Sequence, residues 1–199
     1  MMRMSAVRSA RVVVGLACLV ALAALGASRG HAASEPEAWA ALRGGGHVAL
    51  IRHANAPGFD DPPGFTIGAC DTQRNLDSVG RAQATRIGDL FRANGITTAR
   101  VVSSQWCRCL GTASLMALGA VEELPALNSF FGKPERREPQ TATLQAWLAG
   151  QDLSRPTILV THQVNITALA GVATSSGEVV VVRLDETGAV ALIGTIETE

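Results

Sequence analysis

The stretch Gly46–Gly58, "GHVALIRHANAPG", holds an apolar run, Val48–Ile51, with no polar residue in it. A strand with one wet face alternates apolar and polar residues. An unbroken run suits a strand buried on both faces, which needs helices above and below the sheet. "TILVT", Thr157–Thr161, reads as another strand, and "EVVVVRLDETGAVALIGTIE" as two strands about a Glu-Thr-Gly turn. Helical patterns lie between the strands. Glu37–Leu42 reads as a short helix closed by Gly44-Gly45-Gly46. "LDSVGRAQATRIGDLFRANGI" has apolar residues at helical spacing, with Asp77 or Ser78 placed to cap it and Gly95 just past its end. Arg100–Ser103 reads as a brief strand, and Cys107–Gly119, a segment around Thr141–Ala149 and Val164–Val172 as helices, with Pro134–Pro139 as a charged connector. Strands alternating with helices predict an α/β three-layer sandwich with a largely parallel central sheet flanked by helices.

A chain of 199 residues that is 47% hydrophobic supports one domain with a real core. Aromatic residues make up 4% and Tyr is absent, which disfavours a stacking platform for single-stranded nucleic acid. The formal net charge of zero offers no basic footprint for duplex DNA or RNA. That balance hides an asymmetry. Met1–Arg11 carries Arg3, Arg8 and Arg11 without an acid, an uncharged apolar run Val12–Ala27 follows, and small residues then occupy cleavage-like positions. This pattern predicts a secretory signal peptide over residues 1–32, with cleavage after Ala32 or Ala33, rather than a retained membrane anchor, for which the run is short. Its removal takes away four arginines and leaves 13 basic against 17 acidic side chains, a net of −4. The expected product is an acidic, soluble domain over residues 33–199, periplasmic or secreted, in a compartment that permits disulfides.

Cys70, Cys107 and Cys109 then remain. They lack the paired spacing of a structural zinc site, so no metal is expected. An oxidising compartment favours one disulfide, from Cys70 to Cys107 or to Cys109, with the leftover thiol a small buried hydrophobe. The loop Gly58–Asn75, rich in Pro and Gly, is long enough to be functional or tied down, and Cys70 is placed to tie it.

Three strands end on chemically suggestive residues. Val48–Ile51 runs into Arg52-His53, "VVSS" into Gln105-Trp106-Cys107-Arg108, and "TILVT" into His162. In open α/β sheets ligands bind at the carboxyl ends of the strands. Two guanidiniums and two imidazoles converging there suit an anion with several oxygens, because Arg grips phosphate bidentately and stays charged.

"LIRHA", "NLDSVGRAQA", "VVSSQWCRCLGTA" and "LVTHQVNITALAG", in that order, resemble the motifs of the histidine phosphatase superfamily, which includes the phosphoglycerate mutases. The subgroup they most resemble is the small secreted phosphatases of the lipopolysaccharide core heptose phosphatase type. The resemblance implies a phosphoglycerate mutase-like fold and a phosphomonoesterase acting on a small phosphorylated metabolite or an envelope sugar phosphate, without a cofactor. It further implies that His53 is the nucleophile that becomes phosphohistidine, and that Arg52, Arg108 and His162 hold the phosphoryl oxygens. Asn55 is a further candidate for phosphate binding, as are Ser104 and Asn165; Arg74, in the loop before Asn75-Leu76, is a candidate for the pocket rim but is read as mainly structural.

The chain departs from these relatives at the general acid. The segment "LPALNSFFGKPE" offers Asn128 or Ser129 where many members carry Glu, and Gln163 follows His162 where another branch carries Asp. Glu178 is the first replacement candidate, followed by Glu135 and Glu138. The competing reading is a catalytically impaired module of the same fold that binds phosphate without turnover.

Overall fold

The computed structural model describes residues 32–198. Nearly all of the expected signal peptide therefore lies outside the described residues. At the centre of the sheet is β1 (His47–Arg52), flanked by β4 (Thr157–Thr161), which runs parallel to it, and β5 (Val179–Leu184), which runs antiparallel. Beyond β4 lie β2 (Arg100–Ser103) and β3 (Val121–Glu123), each parallel to its neighbour. On the other side β6 (Val190–Ile196) closes the sheet antiparallel to β5, giving the order β3-β2-β4-β1-β5-β6. The largely parallel sheet expected from the alternating pattern is thus present, with a terminal antiparallel hairpin. β3 escapes the sequence pattern because it has three residues on a sheet edge, two of them exposed glutamates.

The uninterrupted apolar run behaves as its composition requires. Val48–Ile51 are all fully buried, with Ala49 and Ile51 in one core and Val48 and Leu50 in the other. The first core packs against α1 (Glu35–Gly44), α2 (Ser78–Ala93) and α3 (Cys107–Met116) through Trp39, Leu42, Ile87, Phe91 and Met116. The second packs against α4 (Arg137–Ala149) and α5 (Gln163–Ala170) through Leu144, Leu148, Ile166 and Leu169. Among the described residues no helix is long and apolar enough to cross a membrane.

Helix boundaries follow local chemistry. The Asp77 carboxylate accepts the Gly80 amide at 2.7 Å and so caps α2. The helix α4 starts at Arg137, earlier than the Thr141 boundary expected, because Pro139 falls in its first turn, where a missing N–H costs no helical bond. α3 stops at Met116 rather than Gly119, since Ala117 turns left-handed at φ 51°. The long loop between β1 and α2 is tied to the start of α3 by a disulfide between Cys70 and Cys107, which leaves Cys109 free and buried. In the chain-entropy account a closure across 37 residues contributes about 3–4 kcal/mol.

Gly80 brings the first turn of α2 against the residue that follows His53 and Ala54. A Cβ at this position would lie 1.9 Å from the Asn55 carbonyl oxygen, a backbone atom that cannot swing aside. Gly80→Ala is expected to destabilise the protein by about 2–3 kcal/mol, read as a lower urea midpoint at unchanged slope.

Candidate active site

Because β1, β2 and β4 are parallel, their carboxyl ends open on one edge of the sheet. The ladder runs one residue past each strand: the His53 amide donates to Thr161 O at 3.0 Å and the Ser104 amide to Val160 O at 2.9 Å. His53 and Ser104 are therefore held in register where β1 and β2 stop, and His162 directly follows the last residue of β4. Arg108 enters from the first turn of α3, and the Thr112 hydroxyl one turn later donates to Arg108 O at 2.7 Å while accepting the Ala54 amide at 2.9 Å.

His53 is 3% exposed. Its Nδ1 lies 2.8 Å from Ala54 O, an acceptor only, so Nδ1 carries the proton and Nε2 keeps its lone pair. Arg108 Nε, a donor, sits 3.3 Å from that Nε2, in keeping with the same tautomer. Burial pushes the His53 pKa down to about 3; the Ala54 carbonyl opposes the shift, and Arg108, Arg74 and Arg52 add to it. His162 lies with its ring centroid 5.5 Å from that of His53. Its Nε2 is 3.0 Å from Ser104 Oγ, which in turn donates to Asn128 Oδ1 at 3.1 Å. Burial, then His53 and the three arginines, holds His162 well below the usual imidazole range. Both rings are neutral in a cationic surrounding.

A cavity of about 740 Å³ opens over these groups. Arg52, His53, Arg108 and His162 all line it, so the four groups singled out by the strand ends converge. Arg74 lines it as well, its guanidinium donating to Ala56 O, which adds a third guanidinium to the expected pair. Arg52 is oriented by donation from Nη1 to Thr174 O at 2.6 Å. Farther out, Phe59 and Phe131 are exposed and meet edge to face, with Lys133, Arg136 and Arg137 beside them.

Other expected residues stand elsewhere. Asn55 does not border the cavity, because its side-chain amide is directed to the Asp77 carboxylate at 3.3 Å in support of the α2 cap. Glu178 does not border it either; its carboxylate accepts the Ser175 amide at 2.7 Å and closes the turn before β5. Glu135 and Glu138 are exposed and outside the lining. Ser104 and Asn165 act behind the wall, Ser104 on His162 and Asn165 by donating to Asn128 O at 3.0 Å. The sequence reading missed Asp61 and Trp106, both in the lining. Asp61 Oδ1 accepts Arg108 Nη1 at 2.7 Å, and its Oδ2 accepts Arg108 Nη2 at 3.2 Å and Trp106 Nε1 at 3.0 Å. The available signal was a carboxylate inside a Pro/Gly loop that was already suspect for its length.

The depressed His53 pKa makes a stability prediction. Above pH 6.5 the ring is neutral in both folded and unfolded chains and has no effect. As pH falls below 6.5 the unfolded chain takes a proton that the folded site refuses until about pH 3, so stability drops with acidification. Between pH 7 and pH 4.5 the wild type should lose about 2–3 kcal/mol more than His53→Gln, compared by urea unfolding at the two pH values.

The model of the histidine phosphatase superfamily, branch 1, matches residues 48–157. No curated protein sequence shows significant similarity to this chain. Among solved structures, the protein histidine phosphatase SixA complexed with tungstate is similar at 18% identity, with 76% of this chain and 97% of that chain covered and a TM-score of 0.54. A putative alpha-ribazole-5'-P phosphatase from Escherichia coli is similar at 16% identity, covering 76% and 96% of the two chains with a TM-score of 0.57. Phosphoserine phosphatase from Entamoeba histolytica in complex with 3-phosphoglyceric acid is similar at 12% identity, covering 77% and 98% with a TM-score of 0.57. These likenesses describe the fold, and the match over more than half of the chain describes its descent: with its Arg-His pair at the end of β1, the protein is a phosphatase that belongs to the histidine phosphatase superfamily, branch 1.

Proposed function

We propose that the protein is an exported phosphomonoesterase that works through a phosphohistidine on His53. The observation that carries this reading is the tautomer: Nδ1–H is committed to Ala54 O, and the Nε2 lone pair, which meets Arg108 Nε at 3.3 Å, belongs to a cavity that Arg52 and Arg74 also line. A neutral imidazole is nucleophilic, and burial, which pushes its pKa down to about 3, keeps it neutral near neutral pH.

A phosphate ester enters with its oxygens on Arg52, Arg108 and His162, and Nε2 attacks phosphorus in line with the leaving oxygen. The charge of the loose transition state spreads over the equatorial oxygens, where fixed donors stabilise it with little reorganisation. The bound dianion also reverses the electrostatics at His162, which gains reason to take a proton and become a further donor. Water then attacks the phosphohistidine, and phosphate leaves.

A small phosphorylated metabolite or an envelope sugar phosphate is the proposed substrate. A cavity of about 740 Å³ is of the size that holds small ligands, and its exposed rim combines Phe59 and Phe131 with cationic side chains. Export is supported by the arginine-then-apolar N-terminal pattern and by the Cys70–Cys107 disulfide, which persists only where thiols are not kept reduced.

Trapping in alkaline detergent, followed by an acid challenge, tests this reading. Wild-type protein mixed with a labelled phosphomonoester should retain an acid-labile, base-stable label, and His53→Ala should retain none; equal turnover by the two proteins would end it. Arg108→Lys removes the fork while keeping the charge, and kcat/KM should fall about 100–1,000-fold, measured by steady-state release of phosphate.

A further inference from the structure

The proposed reaction leaves negative charge on the departing oxygen, and the acids singled out in the sequence, Glu178, Glu135 and Glu138, do not border the cavity. Among the described residues the carboxylates that line it are Asp60 and Asp61. Asp60 is exposed, and its Oδ1 is occupied by the Asp61 amide at 2.8 Å. Asp61 is different. Its side chain is 14% exposed, and its oxygens sit on Arg108 Nη1 and Nη2, on Trp106 Nε1 and, at 3.0 Å, on the Arg74 amide.

Arg108 connects this carboxylate to the nucleophile. Its Nε touches His53 Nε2 at 3.3 Å while its two Nη atoms hold Asp61, so both groups rest on edges of one rigid plane. The segment that carries Asp61 is fastened to the same helix start: the Cys70–Cys107 disulfide joins the loop to the residue before Arg108, and the Cys107 amide donates to Gln73 Oε1 at 2.9 Å. A carboxylate on a long loop is thereby held on the guanidinium that also touches the nucleophilic nitrogen.

Building on the phosphohistidine reading, we propose that Asp61 is the catalytic residue that protonates the leaving group. In the first half-reaction the Nε2 lone pair of His53 forms the N–P bond as the P–O ester bond breaks. The electron pair of that bond passes to the leaving oxygen, which takes the proton of the Asp61 carboxyl and departs as an alcohol. In the second half a water oxygen bonds to phosphorus, the N–P pair returns to Nε2, and the Asp61 carboxylate takes the proton that the water loses. Ester plus water becomes alcohol plus phosphate, and Asp61 regains the proton it gave, one taken from solvent as the substrate binds and returned to solvent as phosphate leaves.

The protonated form is produced by the substrate itself. In the free site burial raises the Asp61 pKa, but Arg108, Trp106 and the Arg74 amide together outweigh it and keep the carboxylate charged. The charged and titratable groups around it are Arg108 and Arg74, the neighbouring Asp60, and beyond the Arg108 guanidinium the imidazoles of His53 and His162 and the side chain of Arg52. A phosphoryl group needs the same Nη atoms that Asp61 now holds. Its arrival turns the guanidinium from carboxylate to phosphate and sets a dianion beside Asp61, and both changes favour the neutral acid.

The test uses leaving groups of opposite demand. With Asp61→Asn, kcat/KM for an alkyl phosphate such as glycerol 2-phosphate should fall at least about 100-fold, and for p-nitrophenyl phosphate, whose phenolate leaves unaided, less than about tenfold. Asp61→Glu should recover part of the alkyl-phosphate rate. Equal losses on both substrates would make Asp61 only a support for Arg108, and no loss on either would exclude it; each result overturns the proposal. The wild type gives a second readout that needs no variant: the rate of phosphoenzyme formation at saturating alkyl phosphate should decline on the alkaline side while that at saturating p-nitrophenyl phosphate stays flat, and parallel profiles overturn it. An absence of acid-labile label on the wild type would instead remove the phosphohistidine reading, so the two failures are distinguishable.

Discussion

Arg52, Arg74 and Arg108 bring three positive charges to one cavity wall. Each of these guanidiniums opposes its neighbours' charge, so such a cage is tolerated only where anionic or dipolar partners answer it. Asp61 supplies the anion, on both Nη atoms of Arg108. Backbone carbonyls add Thr174 O for Arg52 and Ala56 O for Arg74, and the charges of Glu178 and Asp60 favour Arg52 and Arg74 in turn. The same repulsion, added to burial, keeps both imidazoles uncharged, because a proton on either ring would be a further positive charge in the cage. A nucleophilic histidine and a phosphate-binding cage are therefore two consequences of one arrangement of charge.

The sheet makes that arrangement possible at low local cost. A parallel register places the ends of β1, β2 and β4 together without a strained turn, and the ladder bonds of His53 and Ser104 carry that register one residue past the strands. The helices take over from there. The start of α3 presents Arg108 between the two histidines and the long loop, and Thr112 one turn on fixes Ala54, whose carbonyl sets the tautomer of His53. Backbone geometry thus chooses which nitrogen is free to react.

Most of this frame was legible in the sequence, for a physical reason. Buried strands must be apolar on both faces, so Val48–Ile51 and Thr157–Thr161 declare themselves without alternation, and a polar residue at the end of such a run has few places to be except a site. What lay outside the pattern was whatever depends on loop path. Asp61 carries no periodic signal; its place follows from how residues 58–75 fold back over Trp106, where Phe65 stacks on the indole at 4.8 Å. Asn55 and Glu178 were misplaced because nearness in sequence to β1 and β5 does not say where a side chain points: each is committed to a local cap, of α2 and of the turn at Ser175.

The disulfide pairing, which the sequence left open between Cys107 and Cys109, follows from helical geometry. Two residues apart on an α-helix means about 200° of rotation, so the two thiols face nearly opposite ways. One faces the loop and the other faces the sheet. Cys109 is the inward one: its Sγ approaches Thr161 O at 3.6 Å and His162 Nε2 at 3.5 Å, and burial pushes its pKa up to about 12, a shift that nearby Arg108 only partly opposes. A thiol with that pKa is protonated at neutral pH, and a protonated thiol neither competes with His53 for phosphorus nor exchanges readily with the neighbouring disulfide. The orientation that lets Cys107 fasten the loop over the cavity is the one that keeps a second sulfur nucleophile, a few ångströms from His162, chemically silent.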